Sequence, residues 1–272
     1  MLLYVRMLFT MVVSLFTARI VLNTLGIEDY GIYHLVAGFV TMFGFLNSSM
    51  ASATQRFLSF EIGKKNNIQL ARVFSMSLNI HVIIGIFIVL LAETIGLWFL
   101  NSQLTIPSDR LVAANWVYQF SIFTFFVSII SVPFNAIIIA RERMNVFAWV
   151  SIVEVSLKLI IVYMLYITGY DKLRFYAVLT FVVVLIIRII YGAYCKRYLP
   201  ETRFRWFWDM PLFNTLLSYS GWNLWGNFAY VLYGQGVNVL LNIFFGPGIN
   251  ASRAIAYQIQ GAIGGFVSNF QM

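Results

Sequence analysis

The sequence predicts an all-α protein that crosses a membrane about eight times. Three observations support this fold class. Hydrophobic residues make up 61% and charged residues only 10% of the 272 residues, whereas a soluble domain is about one quarter charged. The mean hydropathy is +0.83. The 26 residues from Tyr30 to Gln55 carry no formal charge, and about 20 apolar residues are enough to cross ~30 Å of hydrocarbon as a helix.

Apolar stretches of this kind recur along the whole chain. Transmembrane β-strands would alternate polar and apolar residues over ~10 positions, and the run from Val182 to Ile187 does not alternate. The first stretch lacks the charged leader and small-residue cleavage site of a signal peptide, so we predict a spanning helix there. The predicted helices cover residues 1–24, 31–55, 71–98, 111–140, 145–168, 174–195, 213–245 and 251–272.

The basic residues are divided unevenly between the two sides of these helices. With a cytoplasmic N-terminus, ten of the 18 Lys and Arg residues fall in cytoplasmic connections and four fall on the other side, namely Arg110, Lys172, Arg174 and Arg253. Membrane proteins carry such an excess in their cytoplasmic loops, so we predict that orientation. Scattered clusters between apolar spans also argue against a nucleic-acid partner, which would need one basic water-facing surface.

The longest polar connection, residues 196–211, divides the chain. We predict a six-helix transmembrane lobe over residues 1–205 and the start of a second lobe over residues 206–272. A short internal repeat supports this division. Asn23 and Gly26 are matched by Asn242 and Gly246, six helices later. Parallel repeats are a recurrent design of transporters. We therefore expect a fragment that contains one lobe and the first two helices, seven and eight, of its partner.

Charged side chains within the predicted spans are the sharpest functional signal, because an ion in hydrocarbon costs at least ~2.5 kcal/mol. Glu154 and Lys158 lie four residues apart on the fifth helix, which predicts an ion pair. That pair is either structural or borders a water-accessible cavity. Arg19, in the first helix, either faces a cavity or extends toward the membrane surface.

The seventh helix carries a polar stripe. Its polar residues recur at steps of three or four, which places them on one helical face: Asn223, Asn227, Tyr230, Asn238 and Asn242. Amides and phenols in hydrocarbon need partners, which can be a neighbouring helix, water or the hydroxyls of a sugar.

The residues that enzymes commonly use are scarce. The chain has a single cysteine, Cys195, and two histidines, His34 and His81, each alone in an apolar span. Phosphate-binding glycine loops, nucleophile–histidine sets and metal-ligand spacings are not recognisable. We therefore expect a protein that is not an enzyme and that needs neither a cofactor nor a metal.

Four segments resemble the polysaccharide-exporter branch of the multidrug/oligosaccharidyl-lipid/polysaccharide flippases, which includes the O-antigen (Wzx-type) and lipid II flippases. The segment with Gly-Ile-Glu-Asp-Tyr-Gly is the most specific of the four, which cover residues 25–33, 51–61, 218–227 and 235–242.

The resemblance implies two six-helix lobes around a cavity lined by helices one, two, seven and eight. It implies transport of an undecaprenyl-pyrophosphate-linked glycan across the bacterial inner membrane by alternating access, for surface polysaccharide and lipopolysaccharide synthesis, with membrane lipids and polysaccharide polymerases or glycosyltransferases as partners. Arg19 and Arg56 would bind the pyrophosphate, and Glu154 with Lys158 would form a cavity or gating pair. The glycan would be bound by Asn223, Asn227, Tyr230 and Asn238.

Three alternatives remain open on the sequence. A cation-coupled multidrug exporter would favour acidic cavity residues, but the intramembrane charges are three basic and one acidic: Arg19, Lys158, Arg188 and Glu154. A multi-pass glycan polymerase or acyltransferase would need a large outer loop, and the longest here, about 99–110, is short. The third alternative is a structural membrane subunit without transport of its own.

Overall fold

A computed structural model describes residues 2–204 and 206–269. The chain is 88% helical, and no strand occurs in these two ranges, which confirms the predicted all-α class. The helices are α1 (Leu2–Leu25), α2 (Ile27–Thr41), α3 (Gly44–Gly63), α4 (Asn67–Leu91), α5 (Leu97–Ser102), α6 (Leu111–Ala140), α7 (Met144–Ile167), α8 (Lys172–Tyr198), α9 (Met210–Phe245) and α10 (Pro247–Asn269).

Six stretches of the described chain are helices long and apolar enough to cross a membrane: Leu8–Leu25, Asn67–Ser102, Leu111–Ala140, Met144–Ile167, Lys172–Tyr198 and Leu224–Phe245. The predicted second and eighth spans, which correspond to α2–α3 and α10, are helical but are not among these six. The protein is therefore a polytopic helical membrane protein. Its centre is α6, which packs against α2, α3, α4 and α8.

The second predicted span is not continuous, contrary to the single helix predicted over residues 31–55. It is interrupted at Met42 and Phe43, between α2 and α3. The Thr41 hydroxyl donates to the Gly38 carbonyl at 2.8 Å, and the Phe43 N–H bonds to the Val40 carbonyl, three residues back, at 3.2 Å. Hydroxyls that bond back to the helix carbonyls bend helices, so this sequence provides a local cause for the interruption.

The third predicted span is also irregular. A π-helical turn, Ala92–Gly96, lies between α4 and α5, and the Tyr118 hydroxyl from α6 donates to the Ala92 carbonyl at 2.7 Å. The Leu97 backbone N–H also bonds to the Ala92 carbonyl, five residues back, so the bond from the buried Tyr118 is an additional one. Gly96 makes room for it, because a Cβ atom there would contact the tyrosine oxygen.

Ion pairs mark the two ends of the helical bundle. At one end, which we call the clasp end, Arg110 bonds to both carboxylate oxygens of Asp29 and, at 3.1 Å, to Asp171. The hydrogen bond that Arg110 donates to Asp29 raises the pKa of its guanidinium above the usual value. At the other end, the basic end, Arg141 bonds to Glu201 at 2.5 and 2.9 Å. The cluster of Asp29, Arg110 and Asp171, which we call the clasp, joins the first turn of α2 to the residues that precede α6 and α8.

The α9–α10 hairpin packs on helices α1–α8, which cover the first six predicted spans and which we call the six-span unit, mainly through α2 and α3. Helix α10 contacts α2, and α9 contacts α3. The turn of this hairpin repeats the turn between α1 and α2: Gly26 and Gly246 have φ of 84° and 78°, and each N–H bonds to the carbonyl four residues back at 2.9 and 2.8 Å. Only glycine adopts this backbone without strain, so the two hairpins share a conformational feature.

Replacement of Asp29 by Ala should destabilise the protein by about 2 kcal/mol, because it removes a charged hydrogen-bond partner that is only 6% exposed. Thermal unfolding in detergent measures this effect. Glu28→Ala is the matched control, since Glu28 is an exposed carboxylate in the same helical turn. Equal losses in the two variants would contradict a role for the clasp.

Replacement of Gly31 by Ala should also destabilise the protein, by about 1–3 kcal/mol, because the new methyl group would collide with the Pro247 carbonyl of α10. Gly63→Ala is the control, since no atom lies within 4 Å of a Cβ at that position. An unchanged melting temperature of Gly31→Ala would show that α2 and α10 do not approach this closely in the membrane.

Candidate functional site

A polar cavity lies where the six-span unit meets the α9–α10 hairpin. Its volume is about 370 Å³, and its walls come from α2, α9 and α10. This polar seam, as we call it, has six members: His34, Thr41, Gln235, Asn238, Asn250 and Gln258. Apolar contacts alone would close such a junction more tightly. The concentration of amides and a hydroxyl around a cavity therefore marks this junction as the candidate functional site.

The side chains of the polar seam are linked by hydrogen bonds between helices. The Asn238 amide donates to Gln235 at 2.8 Å, and the Gln235 amide donates to the Thr41 hydroxyl at 3.5 Å. The Asn250 amide donates to the Asn238 carbonyl at 2.8 Å. The side-chain oxygen of Asn250 is buried and has no partner among the described residues. A buried acceptor without a partner costs about 1–3 kcal/mol, so a rearrangement of the seam that gave this oxygen a donor would be favourable.

Direct contacts close the seam toward the clasp end. The Tyr30 hydroxyl donates to the Gln258 side chain at 3.0 Å, and the backbones of Gly31 and Pro247 approach closely. The Tyr30 ring also packs on His34, with 4.4 Å between the ring centroids. In this conformation, α2 and α10 therefore separate the cavity from the clasp end.

A second set of contacts closes the junction toward the basic end, between α3 and α9. The Asn227 amide donates to the Ser49 hydroxyl at 3.0 Å. Arg56 lies over the ring of Tyr219, 4.6 Å from its centroid, and Phe57 packs edge-on against the same ring. The cavity thus lies between two contact zones, each of which joins the hairpin to the second predicted span.

A positive charge lies beside the seam. Arg253 of α10 donates from Nη2 to the Gly234 carbonyl at 3.2 Å and to the Tyr257 hydroxyl at 2.9 Å, and both acceptor residues line the cavity. No Asp or Glu occurs among the described residues that line it. Nor do three His, Cys, Asp or Glu side chains in the described chain come together where they could hold a metal ion.

The two arginines predicted to bind pyrophosphate lie near opposite ends of the bundle. Arg19 is six positions before the end of α1 at Leu25, hence about 9 Å from the clasp end. Arg56 is seven positions before the end of α3 at Gly63, hence about 10 Å from the basic end. Both side chains are exposed. One pyrophosphate cannot contact both in this conformation.

The described members of the polar stripe on α9 face the six-span unit, as one helical face would. Asn227 bonds to α3, as noted above. Asn242 is fully buried and bonds to both the N–H and the carbonyl of Thr105, at 3.0 and 3.3 Å, so it holds α9 to the loop before α6. Asn238 alone of these three lines the cavity. The side chains of Asn223 and Tyr230 lie outside the described residues.

Glu154 and Lys158 form the predicted ion pair, with 2.6 Å between their charged atoms. Their side chains are 36% and 48% exposed. Helix α7 packs on α1 and α8, and none of the described residues that line the seam comes from α7. The pair therefore lies on a separate surface of the bundle from the seam.

Sequence reasoning missed the contribution of α10. Asn250, Tyr257 and Gln258 of this helix line the cavity, and their spacing of seven and eight positions places them on one helical face. Arg253 was assigned only to the loop side opposite the basic connections, but it reaches the backbone of α9. The sequence spacing also indicates this polar face of α10, but the prediction considered only the polar stripe on α9.

Comparison with family models, with curated proteins and with solved structures finds no match to this chain. The class of protein to which the chain belongs is therefore inferred from its fold. It is an all-α polytopic membrane protein with a polar cavity between α2 and the α9–α10 hairpin.

Replacement of Lys158 by Met should destabilise the protein by about 2 kcal/mol, because it leaves Glu154 as a single charge beside hydrocarbon. Thermal unfolding and the amount of protein in the membrane measure the effect. The double variant Glu154→Gln with Lys158→Met removes both charges and should recover most of the loss. A single variant as stable as the native protein would show that the pair does not contribute to folding.

Proposed function

We propose that the protein transports a lipid-linked oligosaccharide, an undecaprenyl-pyrophosphate glycan, across the bacterial inner membrane for surface polysaccharide synthesis. The observation that carries this proposal is the polar seam, an intramembrane cavity lined by amides, a hydroxyl and an imidazole without a described carboxylate. The proposal places the N-terminus and the basic end in the cytoplasm, in keeping with the excess of basic residues in those connections.

The chemistry of the seam suits a glycan. Sugar hydroxyls both donate and accept hydrogen bonds, and so do the side-chain amides of Gln235, Asn238 and Asn250. A hydrophobic drug would offer no hydrogen-bond partner to these side chains. A cation-coupled exporter would need a carboxylate for its ion, and the described lining offers none. A neutral polyhydroxy substrate fits better than either.

The three arginines suggest how the pyrophosphate would travel. Arg56 lies near the basic end, Arg253 beside the cavity and Arg19 near the clasp end. A lipid-linked pyrophosphate that crosses the membrane would meet them in this order, rather than bind Arg19 and Arg56 together. Cations in this arrangement would lower the cost of moving two phosphate charges through hydrocarbon.

Alternating access would require the contacts on the two sides of the cavity to open in turn. The contacts of Tyr30 with Gln258 and of Asn227 with Ser49 are single neutral hydrogen bonds, each worth about 1 kcal/mol. The interruption at Met42 and Phe43 offers a position where α2 can move relative to α3. Membrane lipids and the polymerase or glycosyltransferases of the same glycan are the partners that this function implies.

Replacement of Asn238 by Ala should lower glycan export at least about tenfold. The variant should keep the fold but lose the hydrogen bond between Asn238 and the sugar as it passes through the seam. The measurement is rescue of surface-glycan export by the gene for this protein, in a strain without its own flippase, at matched protein levels in the membrane. Arg19→Ala and Arg253→Gln should also reduce rescue.

Asn115→Ala is the matched control, because Asn115 is an amide of the same type that bonds to Asn101 outside the seam. Its rescue should equal that of the native protein. Failure of the native gene to rescue any of several glycan types would contradict the substrate class. Full rescue by Asn238→Ala would contradict the assignment of the seam as the passage.

A further inference from the structure

A large basic pocket lies at the basic end of the bundle. Its volume is about 840 Å³, and it is formed by the start of α4, the turn between α6 and α7, the end of α8 and the segment 199–207. The basic pocket is defined by Arg72, Arg141, Arg143, Glu201, Arg203 and Trp206. It shares no described lining residue with the polar seam.

The charges of the basic pocket are not balanced. Glu201 is the single carboxylate among its described lining residues, and both of its hydrogen bonds to a guanidinium go to Arg141. No described carboxylate lies within ion-pair distance of Arg72, Arg143 or Arg203. Three guanidinium groups therefore line one pocket without a described carboxylate at ion-pair distance, and the excess of positive charge favours an anionic ligand.

Neutral contacts hold two of these arginines in place. Arg72 lies over the ring of Phe207, 5.3 Å from its centroid, and Arg143 donates to the Tyr194 hydroxyl at 2.7 Å. Ring and hydroxyl contacts fix a guanidinium without neutralising it. Arg203 also borders an adjoining cavity of about 400 Å³ with Arg188 and Lys196, so the positive field extends beyond the pocket itself.

Exposed aromatic side chains lie in the segment that borders the pocket. Trp206, which lines the pocket, is 81% exposed, and its sequence neighbours Phe204 and Trp208 are 50% and 42% exposed; we call these three residues the aromatic rim. Tryptophan is enriched where membrane proteins meet the headgroup layer. The three residues lie within ten positions of Tyr198, where α8, a predicted and observed spanning helix, ends. The rim therefore lies at the level of lipid headgroups, where a soluble anion would compete with the phosphates of the bilayer.

We propose that the basic pocket binds the phosphodiester headgroup of an anionic phospholipid. Arg72, Arg143 and Arg203 would bond to the phosphate oxygens, and the aromatic rim would contact the glycerol and the first acyl carbons. Basic pockets between spanning helices bind acidic lipid headgroups in this way. The bound lipid would join α4, α8 and the segment between α8 and α9.

The test uses the purified protein in a neutral detergent. Binding of dioleoyl phosphatidylglycerol is measured by native mass spectrometry and by the rise in melting temperature, with dioleoyl phosphatidylcholine as the neutral lipid. The native protein should retain phosphatidylglycerol and not phosphatidylcholine. The double variant Arg72→Gln with Arg203→Gln should bind phosphatidylglycerol roughly 10- to 30-fold more weakly.

Lys64→Gln with Lys65→Gln is the matched control, because it removes two charges at the same end of the bundle from outside the pocket. Its affinity should stay within about twofold of the native value. Equal losses in the two double variants, or no loss in either, would overturn the proposal. If the first double variant does not fold, Arg203→Gln alone is used, since the Arg203 side chain is exposed.

Glycerol 1-phosphate separates a lipid from a soluble phosphate ester. It should not displace phosphatidylglycerol at millimolar concentration, because it cannot contact the aromatic rim. Displacement at a concentration equal to that of the lipid would overturn the lipid assignment. Glycan export by the protein is scored separately, so a loss of lipid binding with retained export leaves the proposed transport function intact.

Discussion

Hydrocarbon offers no hydrogen-bond partner, and this constraint decides where the polar groups of the protein lie. At the π-helical turn of Ala92–Gly96, the Ala92 carbonyl accepts from both the Leu97 N–H and the Tyr118 hydroxyl. Within α9, the side-chain oxygen and nitrogen of Asn242 both bond to the backbone of Thr105. In the polar seam, the side-chain oxygen of Asn250 is one of several buried polar atoms in the described chain that have no partner. A group that the protein itself does not satisfy is the physical basis for a ligand or water in the seam.

The two hairpins, α1–α2 and α9–α10, meet in a related manner. Their turns have the same backbone conformation at Gly26 and Gly246, α1 contacts α10, and α2 contacts α9. The sequence repeat aligned Asn23 with Asn242, but the turns align the glycines instead. This shift explains why Asn23 is exposed while Asn242 is fully buried. A one-residue difference in spacing hides the similarity of the two hairpins in the sequence, because a match of only a few residues can be aligned in more than one register.

The positions of the spanning helices could be predicted because length and apolarity determine them directly. The predicted helix over residues 145–168, for example, is observed as Met144–Ile167. The interruption at Met42 and Phe43 could not be predicted, since it depends on a side-chain bond of Thr41 that competes with the backbone. Only part of the candidate site could be predicted from the sequence. Asn238 followed from the helical spacing of α9, whereas Gln258 and Arg253 acquire their roles from tertiary contacts with α2 and α9.

The central claim is that the polar seam is a wet passage rather than a dry contact between helices. The most direct measurement is thiol labelling of Asn238→Cys in membranes, in a Cys195→Ala background, with a charged, membrane-impermeant methanethiosulfonate. Asn238 is seven positions before the end of α9, about 10 Å below that end. We expect it to react far faster than Ile160→Cys, whose position on α7 is 51% exposed on the surface of the bundle. Equal inertness of the two thiols would contradict the account, because it would show that water does not enter the seam.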